Sequence, residues 1–382
     1  MKKILHISET FEGGGAEAVF RDTLEISEKL GFTNEYFVSD GNVSAISYVF
    51  SFAQYFRLKK ELTNYLPDVI HIHNYYHYLT PSILKAIEKY KNENKCKVIF
   101  TAHDYHLICP NSGLQYFENH HRYSFDSKKD SVTYGKKFDH RSWAHSTLKL
   151  LQFTLSYRFL KLQNIFDVIV SPSNFLRETF INYGVRNEIR VIRNPANFKQ
   201  IEINKEKKTK KDINDIDLVF IGRLSPEKGL LEFIDNINNK CTLSINLHIY
   251  GKGILEKDID LKSRELRVGF NIIKHGFVDS STILDVLTQY DIFVLPSVWY
   301  ENAPLSIIEA SIAGLPVVIP NSGGLLEMAQ LTKHFFPYEY DEENFDTIIQ
   351  KAFLFKGENG VLNEKLFSED TYQKEILRLY TE

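Results

Sequence analysis

Eleven short apolar runs, each separated from the next by a helix-length segment, constrain this chain more than any other feature. In the first half they are KKILHIS (2–8), NEYFVSD (34–40), DVIHIH (68–73), KVIFTAHD (97–104), DVIVSPS (167–173) and IRVIRNP (189–195). In the second half they are DLVFIGRL (217–224), INLHIYG (245–251), NIIKHGFV (271–278), DIFVLPS (291–297) and PVVIP (316–320). Continuous Val, Ile and Phe, rather than strict alternation, are what a parallel strand covered on both faces requires. Two such series in 382 residues predict an α/β protein of two doubly wound, Rossmann-like domains. Ligands of these sheets bind beyond the carboxyl ends of the strands, so the polar residues just after each run carry the chemistry. Two facing sheets would make a cleft.

The joint is expected in NFKQIEINKEKKTKKDINDI (197–216), which is polar, Lys-rich and without periodicity. This gives an N-terminal domain over 1–196, a second domain over 197–365, and a terminal helix, 366–382, returning to the first. Residues 1–195 hold 25 Lys and Arg against 20 Asp and Glu, while the remainder holds 21 against 29. That asymmetry fits an anionic partner for the first half, such as a membrane surface or phosphorylated acceptor, and equally a chance spread of surface charge. Cys96, Cys109 and Cys241 have no CxxC spacing, which argues against a disulfide framework or a zinc ribbon. The start reads as a strand rather than a signal segment, and no apolar run is long enough to span a bilayer. The expected compartment is the cytoplasm.

Two strand-to-helix turns in the second half carry charge. FIGRLSPEKGL (220–230) places Arg223 and Lys228 on either side of a turn, where both could meet one anion. LPSVWYENAPLSIIEA (295–310) has the same form, with a helix starting near Pro304 whose free amides suit phosphate oxygens. Glu301 precedes that helix and could accept from hydroxyls. Glu309 falls in an apolar stretch where an unpaired carboxylate is costly, so a diol or a cation is expected beside it. The alternative is a helix residue with a structural partner.

The seven-residue interval between Glu301 and Glu309, GRLSPEKG (222–229), YGKG (250–253) and GGGAE (13–17) together resemble family 4 of the glycosyltransferases over roughly residues 2–330. That resemblance implies the GT-B architecture, with a nucleotide-diphospho-sugar as co-substrate, no cofactor and no metal. It also implies a retaining enzyme, expected to be a hexosyltransferase, whose acceptor is a glycan or lipid-linked glycan in cell-surface polysaccharide assembly. Nucleic acid is not an expected partner. By the same resemblance Arg223 and Lys228 neutralise the diphosphate, and Asn302, Ala303, Pro304 and Leu305 line the donor. Glu309 holds the ribose, Glu301 sits beside the transferred sugar, and backbone around Phe277 and Val278 meets the base. NSGGLLEM (321–328) fits the family loop only loosely.

On the acceptor side, SETFEGGGAEAVF (8–20) lacks both the GxGxxG spacing and a Walker lysine. The resemblance brings Gly14 and Gly15 to donor phosphate, and Gly15 to acceptor as well. FTAHDYHLICP (100–110) sets His103 and Asp104 at the end of a strand. The resemblance makes His103 a contact of the transferred sugar, able to donate as charge develops, with Asp104 on the acceptor. His103, His106 and Cys109 are spaced by three, but nothing in that stretch promises a helix to align them on a metal.

Residues 105–145 show no clear element and read as an acceptor-recognition loop. TLKLLQFTLSYRFLKLQNIF (147–166) reads as a helix with two apolar stripes. One holds Leu148, Leu151, Leu155, Phe159, Leu162 and Phe166; the other holds Leu150, Phe153, Tyr157 and Leu160. No acid lies between His140 and Phe166, whereas Arg141, Lys149, Arg158 and Lys161 do. Peripheral membrane contact through 141–166, at the inner face of the cell membrane, is one reading, and a helix buried between neighbours is the other. Other GT-B enzymes (an epimerase or a phosphorylase) and a nucleotide-binding subunit without activity remain alternatives, whereas a dehydrogenase lacks its fingerprint.

Overall fold

The fold is seen in a computed structural model, which describes residues 1–41, 44–119, 121–196, 215–279 and 281–382. All but the last two residues of the expected joint, 197–216, lie outside the described residues. The chain forms two compact units, Met1–Pro195 with Glu369–Glu382, and Ala196–Ser368.

The first unit begins β1 (Lys3–Ile7), α1 (Gly15–Lys29), β2 (Thr33–Phe37), α2 (Ala45–Val49), α3 (Phe52–Tyr65), β3 (Val69–Ile72), α4 (Ser82–Glu93) and β4 (Lys97–Thr101). It continues with β5 (Gln115–Glu118), β6 (His121–Ser124), α5 (Trp143–Phe153), β7 (Val168–Ser171), α6 (Asn174–Asn182) and β8 (Glu188–Val191). Six of these strands form one parallel sheet ordered β2-β1-β3-β4-β7-β8. Its central strands β3 and β7 are buried at every position, as continuous apolar runs demand, while the edge strand β2 is mostly exposed.

The second unit holds β9 (Ile216–Ile221), α7 (Leu230–Lys240), β10 (Ile245–Tyr250), α8 (Glu256–Lys262), β11 (Phe270–Gly276), α9 (Ile283–Leu287) and β12 (Ile292–Val294). It is completed by α10 (Leu305–Ile312), β13 (Val317–Pro320), α11 (Gly323–Ala329), β14 (Phe335–Tyr338) and α12 (Phe345–Phe353). Its parallel sheet is ordered β11-β10-β9-β12-β13-β14. The order reverses between β9 and β12, and in the first sheet between β1 and β3. At such switch points neighbouring loops part and leave a crevice outside the strand ends. The segments after β9 and β12, and those after β1 and β3, are therefore the ones positioned to hold ligands.

Three features depart from the sequence reading. Residues 105–145 do contain regular structure: β5 and β6 pair antiparallel, with Tyr116 opposite Tyr123. The segment 147–166 is not one α-helix. After α5, Thr154–Phe159 is a π turn and Leu162–Ile165 a 3-10 turn. The π turn inserts a residue into the helical repeat and rotates everything after it. Phe153 and Tyr157 face the core, Leu151 and Phe159 are exposed, and Leu162 and Phe166, beyond the turn, are buried again. A sixth strand, β14, joins the second sheet at its edge, beyond the five apolar runs found in that half.

The last helix, α13 (Glu369–Thr381), packs on the first unit. Tyr372, Ile376, Leu379 and Tyr380 join Ile4, Ile26, Val69 and Ile99 in one buried cluster. Its polar groups are met as well. The Tyr372 hydroxyl lies 2.7 Å from Thr23 Oγ1, and the Tyr380 hydroxyl lies 2.6 Å from His71 Nδ1. Tyr380→Phe should cost about 1–2 kcal/mol, the effect of stranding a buried ring nitrogen, whereas Tyr380→Ala should cost about 3–5 kcal/mol by adding a cavity. Urea unfolding of the two variants measures the difference.

Candidate active site

In the second unit the chain leaves β9 through Gly222–Ser225, makes one 3-10 turn at Pro226–Lys228, and enters α7 at Leu230. Gly229 separates turn from helix in the left-handed region, φ 64°, and a Cβ there would lie 2.1 Å from the Pro296 carbonyl oxygen. The turn after β9 is thus pressed against the segment after β12. That approach brings Lys228 to Glu301: Nζ and Oε1 are 2.6 Å apart, both side chains are largely buried, and the Ser297 hydroxyl donates to the same oxygen at 2.7 Å. The Trp299 ring lies 5.7 Å from the ammonium. Burial by itself would raise the Glu301 carboxyl. The Lys228 charge and hydrogen bonds from Lys228 and Ser297 outweigh it and hold the group below its ordinary value.

Arg223 does not share this contact. Its guanidinium is mostly exposed and lies 3.4 Å from Glu227 Oε1, to which Ser225 also donates at 2.6 Å. The two cations expected to point at one anion are thus each held by a separate carboxylate. Glu301 is correspondingly a buried ion-pair partner rather than an open acceptor of hydroxyls.

Pro304 caps α10 with an extended backbone, and the helix proper begins at Leu305. Asn302 and Ala303, on the approach to it, are partly exposed. Glu309 lies one turn into that helix, between the buried Ile308 and Ala310. It keeps some surface exposure, yet its surroundings are apolar enough to push its carboxyl up to about 7. Among the described residues no hydrogen bond or ion pair reaches that carboxylate. Phe277 and Val278 follow β11, and the Phe277 side chain is exposed. Sequence reasoning passed over Gly324 in NSGGLLEM. Its amide donates to the Glu301 carbonyl at 3.0 Å, and a Cβ there would lie 2.2 Å from the carbonyl oxygens of Glu301 and Asn302. The paired glycines of that segment were the available signal.

In the first unit, Gly14 is the N-cap of α1 and Gly15 its first residue. The Gly14 amide is already engaged: it donates to Glu17 Oε2 at 2.9 Å. His103 and Asp104 follow β4, and both are partly exposed. Burial lowers the His103 imidazole to about 4 and raises the Asp104 carboxyl to about 6, the latter opposed by hydrogen bonds from the Tyr76 hydroxyl and the His106 amide. His103 Nε2 lies 3.2 Å from His73 Nδ1. His106 instead stacks on Tyr76, with ring centroids 3.8 Å apart, and Cys109 is fully buried. Glu9, after β1, accepts from the amides of His77 and Tyr78, and burial raises it to about 7. Glu9 and His73 went unnoticed in the sequence, although both lie just past strands at the switch point.

Two adjacent family profiles match the chain: that described as glycosyltransferase family 4 over residues 29–200, and that described as glycosyl transferases group 1 over 201–356. An uncharacterized 42.6 kDa protein in the cps region of Klebsiella pneumoniae is 27% identical over 335 residues, covering 85% of this chain and 76% of that protein. The UDP-Gal:alpha-D-GlcNAc-diphosphoundecaprenol alpha-1,3-galactosyltransferase of Escherichia coli is 33% identical over 123 residues, 29% of either chain. Anabaena HepE, crystallised with UDP-glucose, superposes with a TM-score of 0.64 over 99% of both chains at 18% identity, a likeness of fold.

The Glu309 environment predicts a pH signature. Its folded value, about 7, exceeds the ordinary 4.5, so the folded protein holds an extra proton between them and loses stability as pH rises through that window. Glu309→Gln should melt above the wild type at pH 8, and the gap should close towards pH 4.5. Melting curves across that range measure it.

Proposed function

The chain belongs to the family 4 glycosyltransferases, and on that premise we propose that it transfers a hexose from a nucleotide-diphospho-sugar, with retention at the anomeric carbon, to a hydroxyl of a glycan or lipid-linked glycan. The setting is cell-surface polysaccharide assembly. One observation carries the donor assignment: the buried Lys228–Glu301 pair stands ahead of α10, a helix bearing the unpartnered carboxylate of Glu309. A ribose diol supplies the two donors that Glu309 lacks. Arg223, exposed and 3.4 Å from its carboxylate, turns to the departing diphosphate, and Lys228 meets it from within its pair with Glu301, aided by amides at the start of α10. The leaving charge is met by fixed cations and dipoles, so the reaction needs no metal ion. Glu301 keeps Lys228 in place beside the transferred sugar, and Gly14 and Gly15 approach the donor phosphate when Glu17 releases its amide. Backbone at Phe277 and Val278 reads the base. The Escherichia coli relative, a UDP-Gal transferase by its name, makes uridine the first base to test.

His103 and Asp104 serve the sugar and acceptor. His103 is neutral at physiological pH, because burial keeps its value near 4. It therefore acts as a hydrogen-bond donor and not as a cation. The exposed tip Arg158-Phe159-Leu160-Lys161, with Trp143 and Leu151 also exposed, supports peripheral contact with an anionic lipid surface that presents the acceptor. Among the described residues no helix is long and apolar enough to cross a membrane.

Thermal shifts with uridine, guanosine and adenosine diphosphates, followed by transfer assays with the matching sugars, test the reading. Lys228→Ala and Glu309→Ala should each weaken nucleotide binding and cut transfer by about 100-fold or more. Full activity in either removes the donor site. His103→Ala should lower kcat more than nucleotide affinity, and NMR of the product's anomeric proton checks retention.

A further inference from the structure

Lys149 stands on the wrong face of its helix for a solvated lysine. Ser146, Gln152 and Phe153, its neighbours one turn away along α5, are all buried, so Lys149 points inward and its side chain is only 18% exposed. A lysine survives on such a face only when paired, since an uncompensated ammonium there is costly. Its partner is Asp139, whose side chain is buried and whose Oδ2 lies 3.1 Å from the Lys149 Nζ.

Asp139 is already taken. Arg141 grips both of its oxygens, with Nε donating to Oδ1 and Nη2 to Oδ2 at 2.9 Å each, and the Arg141 amide donates to Oδ1 at 3.0 Å. Burial alone would raise the Asp139 carboxyl, but the Arg141 bonds and the Lys149 charge hold it well below its ordinary range. Two cations thus share one carboxylate, and among the described residues neither makes a second ion pair. Asp104 feels the Lys149 charge, yet it is held by the Tyr76 hydroxyl and the His106 amide instead. One positive charge is left over. It sits on donors fixed from behind by a buried carboxylate, while the Arg141 side chain stays 55% exposed at the front. A guanidinium locked in this way has already lost the freedom that anion binding costs.

The surface beside the pair is apolar. Trp143 and Leu151 of α5 are exposed. Gln152 donates to the Tyr48 carbonyl at 2.6 Å, which ties the corner between α2 and α3 to α5, and that corner exposes Phe52 and Phe56. No acid occurs from 140 to 166. Fixed positive charge beside exposed hydrocarbon matches a phosphate that carries a lipid chain; a neutral soluble glycan would use neither.

We propose that Arg141 and Lys149, clamped by Asp139, bind the diphosphate of a lipid-linked acceptor, with the lipid chain lying along the exposed apolar residues of α5 and the α2–α3 corner. That the lipid is an acceptor rests on the transferase reading; the diphosphate site itself does not.

Calorimetric titration with geranyl diphosphate, against geraniol as the same chain without charge, measures the site. The wild type should bind the diphosphate at least about tenfold more tightly than the alcohol. Arg141→Gln and Lys149→Met each leave Asp139 one cation and should each weaken the diphosphate about tenfold, with nucleotide thermal shifts unchanged. Arg223→Gln and Lys228→Ala should bind the probe as the wild type does, which separates this site from the donor site. Equal binding of the two probes by the wild type overturns the proposal. So does unchanged binding in Arg141→Gln and Lys149→Met, or loss of the probe in Arg223→Gln and Lys228→Ala. Phosphatidylcholine vesicles with and without phosphatidylglycerol distinguish the source of the phosphate. If Arg141→Gln and Lys149→Met lose the anionic vesicles but keep geranyl diphosphate, the cations meet a membrane headgroup and the proposal falls. Should Lys149→Met fail to fold, Arg141→Gln at the exposed rim decides. If both lose the probe yet no sugar passes to a diphosphate-linked lipid, the transferase reading fails while the diphosphate site stands.

Discussion

A parallel strand covered on both faces admits a polar side chain within its length only where a buried partner meets it, as at His71, so most polar groups here collect at the strand ends. Ile, Val and Leu fill the strand interiors of both sheets, so charge and hydrogen-bonding capacity collect just beyond the carboxyl edges. Where the strand order reverses, the edge is open to a ligand. In the second unit this brings the turns after β9 and β12 together, and Gly229 permits an approach that any side chain would block. In the first unit it gathers Glu9, His73, His103 and Asp104 around the ends of β1, β3 and β4.

The charges gathered there are held against one another. Removing either member of the Lys228–Glu301 pair would leave a buried charge uncompensated, so the pair is a structural commitment as well as a store of binding groups. Glu309 is the opposite case, a carboxylate whose apolar surroundings oppose its ionisation and whose protein partners are absent among the described residues. On the proposed reading, a nucleotide sugar that met this carboxylate would recover on binding what the unpartnered group costs in stability.

The legible parts of the sequence were those in which one residue type at one spacing has a single physical outcome. Apolar runs separated by helical lengths meant parallel sheets, and the strand-to-helix form of LPSVWYENAPLSIIEA located a helix start near Pro304. β14 was missed because FFPY is a four-residue edge strand paired on one side only and interrupted by Pro337. β5 and β6 were missed because Gln-Tyr-Phe-Glu and His-Arg-Tyr-Ser are half polar and mostly outside the core. The π turn at Thr154–Phe159 leaves no compositional mark, yet it reassigns which apolar stripe is buried.

Local sequence alone determined the strand edges, the helix starts and the candidate residues beside them, because period and propensity act over a few neighbours. Only tertiary structure decided who meets whom. Lys228 and Glu301 are 73 positions apart, His73 and His103 30 apart, and Tyr380 reaches His71 across 309. Such pairings depend on how far two loops can approach and on which buried nitrogen or oxygen is left without water. Neither quantity exists until the sheets have formed and excluded solvent.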